Sequence, residues 1–426
     1  MLAQKIIIAR RFLERSFLPA LLLLFIMIFF VSPNNKILNK FYYFIVLPTA
    51  VFSLRLTDYR WLYKLNPLRY VLLLFTYLCL SLCWSNITPG DRPQVYIFQS
   101  LYILYFVISI IITAQYRDNW LAWLGPGLAL IVTMHVIIVS WIWYSVHPLA
   151  VRMDGLGRLN NPIELASIYA AVAAFCVISY IRGKDKMSYA YLAPFFVSLG
   201  GIILTRSRGP LLAILVVTIG ASLLIRNQRS KYLIALIVLI GLACLVIEPN
   251  VLYSLSERGA SFRPEIWEKG WPRIMEAWIF GHGIATSLEV KINEQMQFHH
   301  YHNIILSTWF YSGIIGILLL VILIGKTIIY GLRSSSAWPW VSAFIAGSIC
   351  LWTNGDRLMI HPYPLWLYFW LPLAMIIATS SKKQAEDQAM TNRLKSKTGE
   401  IDDPLPGSKA SDYPQLSNST LSDLSQ

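Results

Sequence analysis

The chain of 426 residues is 56% hydrophobic and only 14% charged, whereas a soluble domain of this length carries about a quarter charged residues. That balance excludes an ordinary soluble enzyme and predicts a protein that crosses a bilayer many times. A net charge of +14 raises nucleic acid as a partner, but Lys and Arg are scattered over short loops between apolar runs, so the charge reads as a topology signal.

At about 20 apolar residues per span, the sequence predicts about twelve spans: 17–33, 37–55, 69–85, 94–115, 120–146, 163–181, 188–205, 209–225, 231–248, 302–330, 336–353 and 362–380. The first run passes through Ser32-Pro33-Asn34-Asn35 into the second without a small-residue cleavage site, so it reads as a span rather than a removable signal. The five cysteines, Cys79, Cys83, Cys176, Cys244 and Cys350, lie inside apolar runs and read as small core residues.

With the N-terminal Lys5, Arg10, Arg11 and Arg15 inside, the alternate loops are the basic ones. They hold Arg60 and Lys64, Arg117, Arg182 with Lys184 and Lys186, Arg226 with Arg229 and Lys231, Arg333, and Lys382 with Lys383. Both termini are then expected in the cytoplasm. Three segments face outward: 147–162, Glu248 to Tyr301, and 353–364. In the second, Ile266, Trp267, Trp271, Ile274, Met275 and Trp278 recur at helical spacing, so 249–301 reads as an amphipathic segment along the membrane that acts as a lid. Residues 1–383 form the membrane domain, and 384–426, rich in Ser, Asp and Pro, read as a disordered cytoplasmic tail.

The stretch LGGIILTRSRGPLLAILVVTIG (199–220) carries Arg206 and Arg208 within an apolar run, although an arginine in hydrocarbon costs about 2.5 to 3.5 kcal/mol. The orientation puts TRSRGP at the tip of an outward hairpin, with Gly209 and Pro210 expected to break the helix. Around it the outward segments gather Arg152, Arg158, Arg258, Arg263, Arg273 and Arg357 with His282, His299, His300, His302 and His361. Outer-face arginines run against the positive-inside bias. Guanidinium holds phosphate well in a partly dry site, because it stays charged and donates in a planar fork. Plainer roles stay open: snorkelling for Arg206 and Arg208, capping or buried hydrogen bonding for His302, and ion pairing for Glu257, Glu265, Glu268 and Glu276. His299, His300 and His302 could suggest zinc, but no Asp, Glu or Cys stands near them at ordinary ligand spacing, so no metal site is expected.

Ser207-Arg208-Gly209, then SFRPEIW with Arg263 and Trp267, the glycine pair of FGHGI (Gly281, Gly283), and HNIIL followed by Gly313 and Gly316 stand in a recognisable order. Over residues 155 to 320 the chain resembles the O-antigen ligase and polymerase superfamily, and RLNNPIELA (158–166) is similar to that family's upstream Asn-Pro segment. The resemblance implies an all-α polytopic integral membrane protein of GT-C-like glycosyltransferase architecture, with one larger periplasmic loop and the active site on the periplasmic face of a bacterial inner membrane. It implies a metal-independent transferase without cofactor, with undecaprenyl-diphosphate-linked O-antigen as donor and, in the ligase branch, lipid A-core as acceptor. Arg208, Arg263 and His302 match the family's essential positions. Arg206, Arg158, Asn161, Trp267, Asn303 and Arg357 are expected to line the diphosphate and acceptor. Tyr311 departs from a frequent acidic residue and Trp278 from a frequent proline. A polymerase or a protein O-oligosaccharyltransferase would share these motifs. The short tail favours ligase or polymerase. A lipid-linked glycan transporter would carry repeats and midplane charges, whereas these cations gather at one interface.

Overall fold

A computed structural model describes residues 16–87, 92–116, 118–247, 262–293 and 296–398. The early helices are α1 (Leu18–Val31), α2 (Asn35–Phe41), a wider π turn (Tyr42–Val46), α3 (Leu47–Ser53), α4 (Leu56–Leu62) and α5 (Asn66–Leu80). Next come α6 (Gln94–Tyr116), α7 (Asp118–Tyr144), α8 (Pro162–Arg182), α9 (Leu192–Leu204), α10 (Arg208–Ile225) and α11 (Gln228–Ile247). The outward segment holds α12 (Arg263–Glu276) and a hairpin of β1 (Val290–Lys291) with β2 (Gln297–Phe298), antiparallel, Val290 opposite Phe298. The chain closes with α13 (Ile304–Leu332), α14 (Trp338–Asn354) and α15 (Leu371–Thr398).

Among the described residues seven helices are long and apolar enough to cross a membrane: Asn66–Trp84, Gln94–Tyr116, Trp120–Tyr144, Pro162–Arg182, Lys186–Leu204, Arg208–Ile225 and Ile304–Leu332. Some of the other expected spans are shorter or interrupted. α1 has 14 residues and α14 has 17, while 37–55 is divided by the π turn. The described chain is predominantly helical, consistent with an all-α polytopic membrane protein, with one short β1–β2 hairpin. One detail departs from the sequence reading. α15 runs on to Thr398, so 384–398 are helical where a disordered tail is expected; 399–426 lie outside the described residues, as do Arg117, Glu248, Glu257 and Arg258.

α8 is the central post. Its sequence is apolar on every side and rich in alanine, and 89% of its apolar window is buried, as expected for a helix surrounded by others. Ala170, Ala171, Ala173 and Ala174 let neighbouring backbones approach closely, and α9, α10 and α14 pack against it. Ser342 Oγ on α14 donates to the Ala174 carbonyl at 2.7 Å. Asn161 caps the outer end, its Oδ1 accepting from the amides of Ile163 (2.9 Å) and Glu164 (3.4 Å), and Pro162 follows at the first helical position. The post therefore fixes where α10 and α14 end, and both ends carry site residues.

Candidate active site

The TRSR turn joins α9 to α10. The helix breaks at Thr205–Ser207, one turn earlier than the expected Gly209-Pro210: Arg206 takes a left-handed backbone (φ 48), and Pro210 sits within the first turn of α10, where its missing N–H costs nothing. Arg152 braces the turn, with Nε donating to the Thr205 carbonyl at 2.6 Å and Nη2 to Ser207 Oγ at 3.2 Å. Arg208 thereby becomes the first residue of α10 and is exposed. Gly209 explains its placement: a Cβ there would lie 2.2 Å from Thr353 Oγ1. Only glycine lets the start of α10 reach the end of α14, next to Asn354.

Asn354 is the hub of the site. Its Oδ1 lies 3.3 Å from Arg263 Nη2 and 3.1 Å from His302 Nδ1. A guanidinium only donates, so the atom facing it is the amide oxygen, and the same oxygen must accept from the imidazole. His302 then carries its proton on Nδ1 and leaves Nε2 with a free lone pair. Arg263 opens α12, and His302 precedes Asn303, whose Oδ1 caps α13 through the amides of Ile305 (2.9 Å) and Leu306 (3.2 Å). His302 itself has φ 51, a conformation a non-glycine residue adopts at a cost and that concentrates at functional sites. Burial and the adjacent His300 lower the His302 pKa to about 4, with Arg263 adding to the effect and the Asn354 hydrogen bond opposing it. The imidazole is thus neutral near pH 7.

The electrostatics form a chain of cations. Arg263 is pushed below its usual pKa by desolvation and by Arg208. His300 is lowered by burial, by His299, and by both Arg263 and Arg357, and its ring centroid lies 3.7 Å from that of His302. Arg357 is held by two phenols: Nε and Nη2 donate to Tyr311 Oη at 3.1 and 2.8 Å, and Nη1 donates to Tyr96 Oη at 2.7 Å. A phenol grips the guanidinium without neutralising it. Asp356 is 3.8 Å from Arg357; burial raises its pKa to about 6 despite that neighbour, which leaves it mostly ionised at pH 7, one negative charge among several cations. Among the described residues no three His, Cys, Asp or Glu side chains converge as metal ligands.

α12 covers this cluster as an amphipathic helix, with Ile266 and Ile274 buried and Trp271 exposed. Its Gly270 admits the Tyr301 ring, which a Cβ would meet at 2.1 Å, and Trp267 Nε1 donates to the Tyr301 carbonyl at 2.8 Å. Trp267 therefore braces the turn leading to His302. The FGHGI glycines explain how this segment meets α13. Gly281 (φ 73) would put a Cβ 2.4 Å from the Ser312 nitrogen, and Gly313 (φ 65) would put one 2.0 Å from the Ile279 oxygen. At that seam α13 breaks, and the amides of His282 and Gly283 donate to the freed carbonyls of Phe310 (2.8 Å) and Tyr311 (2.9 Å).

Of the residues singled out from sequence, Arg263 and His302 share a hydrogen-bond partner, and Arg208 lies within electrostatic reach of Arg263. Arg357 joins them through His300. Asn161 and Asn303 have their side-chain oxygens committed to helix caps. Arg158 is buried with partners of its own, 4.0 Å from Glu164 with its guanidinium carbon 4.4 Å from the Tyr363 ring centroid. Arg206 stands on the turn and bears on Tyr144. The hub, Asn354, is not singled out by the sequence: TNGDR marks an outward loop, and nothing in the spacing ties its asparagine to Arg263, 91 residues away.

Residues 193–321 match the family model described as O-Antigen ligase. The chain is also 29% identical over 370 residues, covering 82% of this chain and 87% of the relative, to a protein of Pseudomonas aeruginosa named O-antigen ligase. The matched segment takes in Arg208, Arg263, the glycine seam and His302, so over the residues that carry the candidate site the chain is similar to O-antigen ligases.

Proposed function

We propose that the protein transfers preassembled O-polysaccharide from undecaprenyl diphosphate to a sugar hydroxyl of lipid A-core, on the periplasmic face of the inner membrane and without a metal ion. The observation that carries this reading is the Asn354 carbonyl, which ties a phosphate-binding type of side chain, Arg263, to a histidine with a free Nε2. In the reaction the acceptor oxygen bonds to the sugar carbon as the bond from that carbon to the diphosphate oxygen breaks. Nε2 of His302 takes the hydroxyl proton, and Arg208 and Arg263 stabilise the negative charge that collects on the departing undecaprenyl diphosphate. An apolar groove of about 690 Å³, lined by Val136, Ile137, Trp141, Tyr144, Val197 and Leu204, suits the isoprenoid chain, and its Tyr144 senses Arg206 on the TRSR turn. The alternation of basic loops supports the orientation, with both termini cytoplasmic, and α12 is the described helix of the segment that acts as a lid.

Deletion of the gene followed by lipopolysaccharide analysis tests the reading. Loss of a ligase leaves long polymer on the lipid carrier and bare core on lipid A. Core capped by a single repeat unit would identify a polymerase instead.

A further inference from the structure

We propose that a pocket beside the catalytic cluster binds the anionic part of the acceptor saccharide, an inference that rests on the transferase reading above. The pocket, about 330 Å³ in volume, lies between the outer end of α6 and the Ala285–Ser287 turn, and Arg92, Tyr96, Gln99, Ser287 and Arg357 line it. That size is at the lower end of small-ligand sites, about 300 to 1,000 Å³.

Its walls are fixed. Ile284 and Ala285 donate their amides to Ser81 Oγ (3.0 Å) and Ser85 Oγ (3.2 Å), and the Asn86 amide donates to Thr286 Oγ1 at 2.9 Å. Gly283 (φ 89) lets the turn sit against Ser85, which a Cβ would meet at 2.2 Å. Arg273 Nη2 donates to the Ser287 carbonyl at 3.4 Å. Tyr96 and Tyr311 hold the Arg357 guanidinium in one orientation.

The lining defines the ligand chemistry. Arg92 and Arg357 supply forked donors for a phosphate or carboxylate. Gln99 Oε1 is buried and, among the described residues, has no hydrogen-bond partner; an acceptor left so costs about 1 to 3 kcal/mol, and a sugar hydroxyl donating to it removes that cost. Ser287 offers a further hydroxyl. Asp356, 3.8 Å from Arg357, is the acidic group to be offset.

The location argues for acceptor rather than donor. The donor sugar is joined to its diphosphate and must lie beside Arg208 and Arg263. The incoming hydroxyl must reach His302 from a different binding surface, and His300, next to His302, senses both Arg263 and Arg357. The pocket thus anchors the second glycan within reach of the base.

Transfer kinetics with the full-length protein in nanodiscs test this, using undecaprenyl-diphosphate-linked polymer as donor. The acceptors are lipid A-core with its core phosphates intact and the same material after their enzymatic removal. The wild type should prefer the phosphorylated acceptor by about tenfold in kcat/KM, the worth of one charge-assisted hydrogen bond. Arg92→Gln should abolish that preference and raise the acceptor KM by about tenfold, with the donor KM unchanged. Gln99→Leu should raise the KM for both acceptors and keep the preference. Wild-type acceptor KM in both variants overturns the pocket assignment while leaving the transferase reading intact. A wild-type protein that transfers to neither acceptor overturns that reading, and the pocket assignment with it.

Discussion

His302 Nδ1 lies 3.1 Å from Asn354 Oδ1, and this contact sets which imidazole nitrogen is basic. Because Arg263 occupies the same oxygen at 3.3 Å, the asparagine cannot turn its amide nitrogen toward the ring without placing a donor against a guanidinium. Asn354 is therefore a positioning residue. Asn354→Ala should reduce kcat by about 10²-fold, comparable to mispositioning a general base, with a smaller change in donor affinity. Because the imidazole must be neutral to act, kcat/KM should rise with pH through about 4, the lowered His302 value, and be flat by neutrality. Asn354→Asp places a carboxylate beside the ring and should move that limb upward by about one unit or more. A wild-type limb at the ordinary histidine value of about 6.5, unmoved by Asn354→Asp, would remove His302 from the role.

The arginines differ in what they contribute. Arg263→Lys and Arg208→Lys keep the charge but lose the fork, so each should lose about 10²-fold in kcat/KM, whereas Arg206→Lys, on the TRSR turn, should lose far less. Steady-state kinetics of the three variants decide this, and equal tolerance at all three would make them interfacial anchors.

The capping asparagines should behave as structural residues. Asn161→Ala and Asn303→Ala should each cost about 1 kcal/mol of stability, seen as a lower unfolding temperature in detergent, with KM values near wild type. A large rise in KM at unchanged stability would return either residue to substrate binding.

The glycine seam should be intolerant. Gly281→Ala puts a methyl 2.4 Å from the Ser312 nitrogen at φ 73, which neither backbone can relieve. Gly200→Ala, where a Cβ has open space, is the control. Thermal unfolding should separate the two by several degrees, and equal stability would show that the seam is pliable.

Much of this was legible in the sequence because hydropathy and charge act locally. The apolar runs and the basic loops can be read from neighbours in the chain, whereas Arg208, Arg263 and His302 are singled out by motifs that resemble those of the O-antigen ligase and polymerase superfamily. What could not be read is long-range: Asn354 meets both His302 and Arg263, the latter 91 residues away, Gly209 lets the start of α10 approach Thr353, and Arg357 meets Tyr96, 261 residues away. Asn161 and Asn303 were legible as polar residues in motifs, but local capping geometry settles their oxygens' partners. The helix break also lies earlier than Gly209-Pro210, because Arg206 adopts the left-handed turn.

The central claim is that His302 supplies the base while the arginines hold the diphosphate, and the most direct measurement pairs transfer rate with donor affinity in purified His302→Ala. Turnover should fall by about 10² to 10⁴-fold while undecaprenyl diphosphate binds within a few-fold of wild type. Near-wild-type turnover, or donor binding lost as completely as turnover, would contradict it.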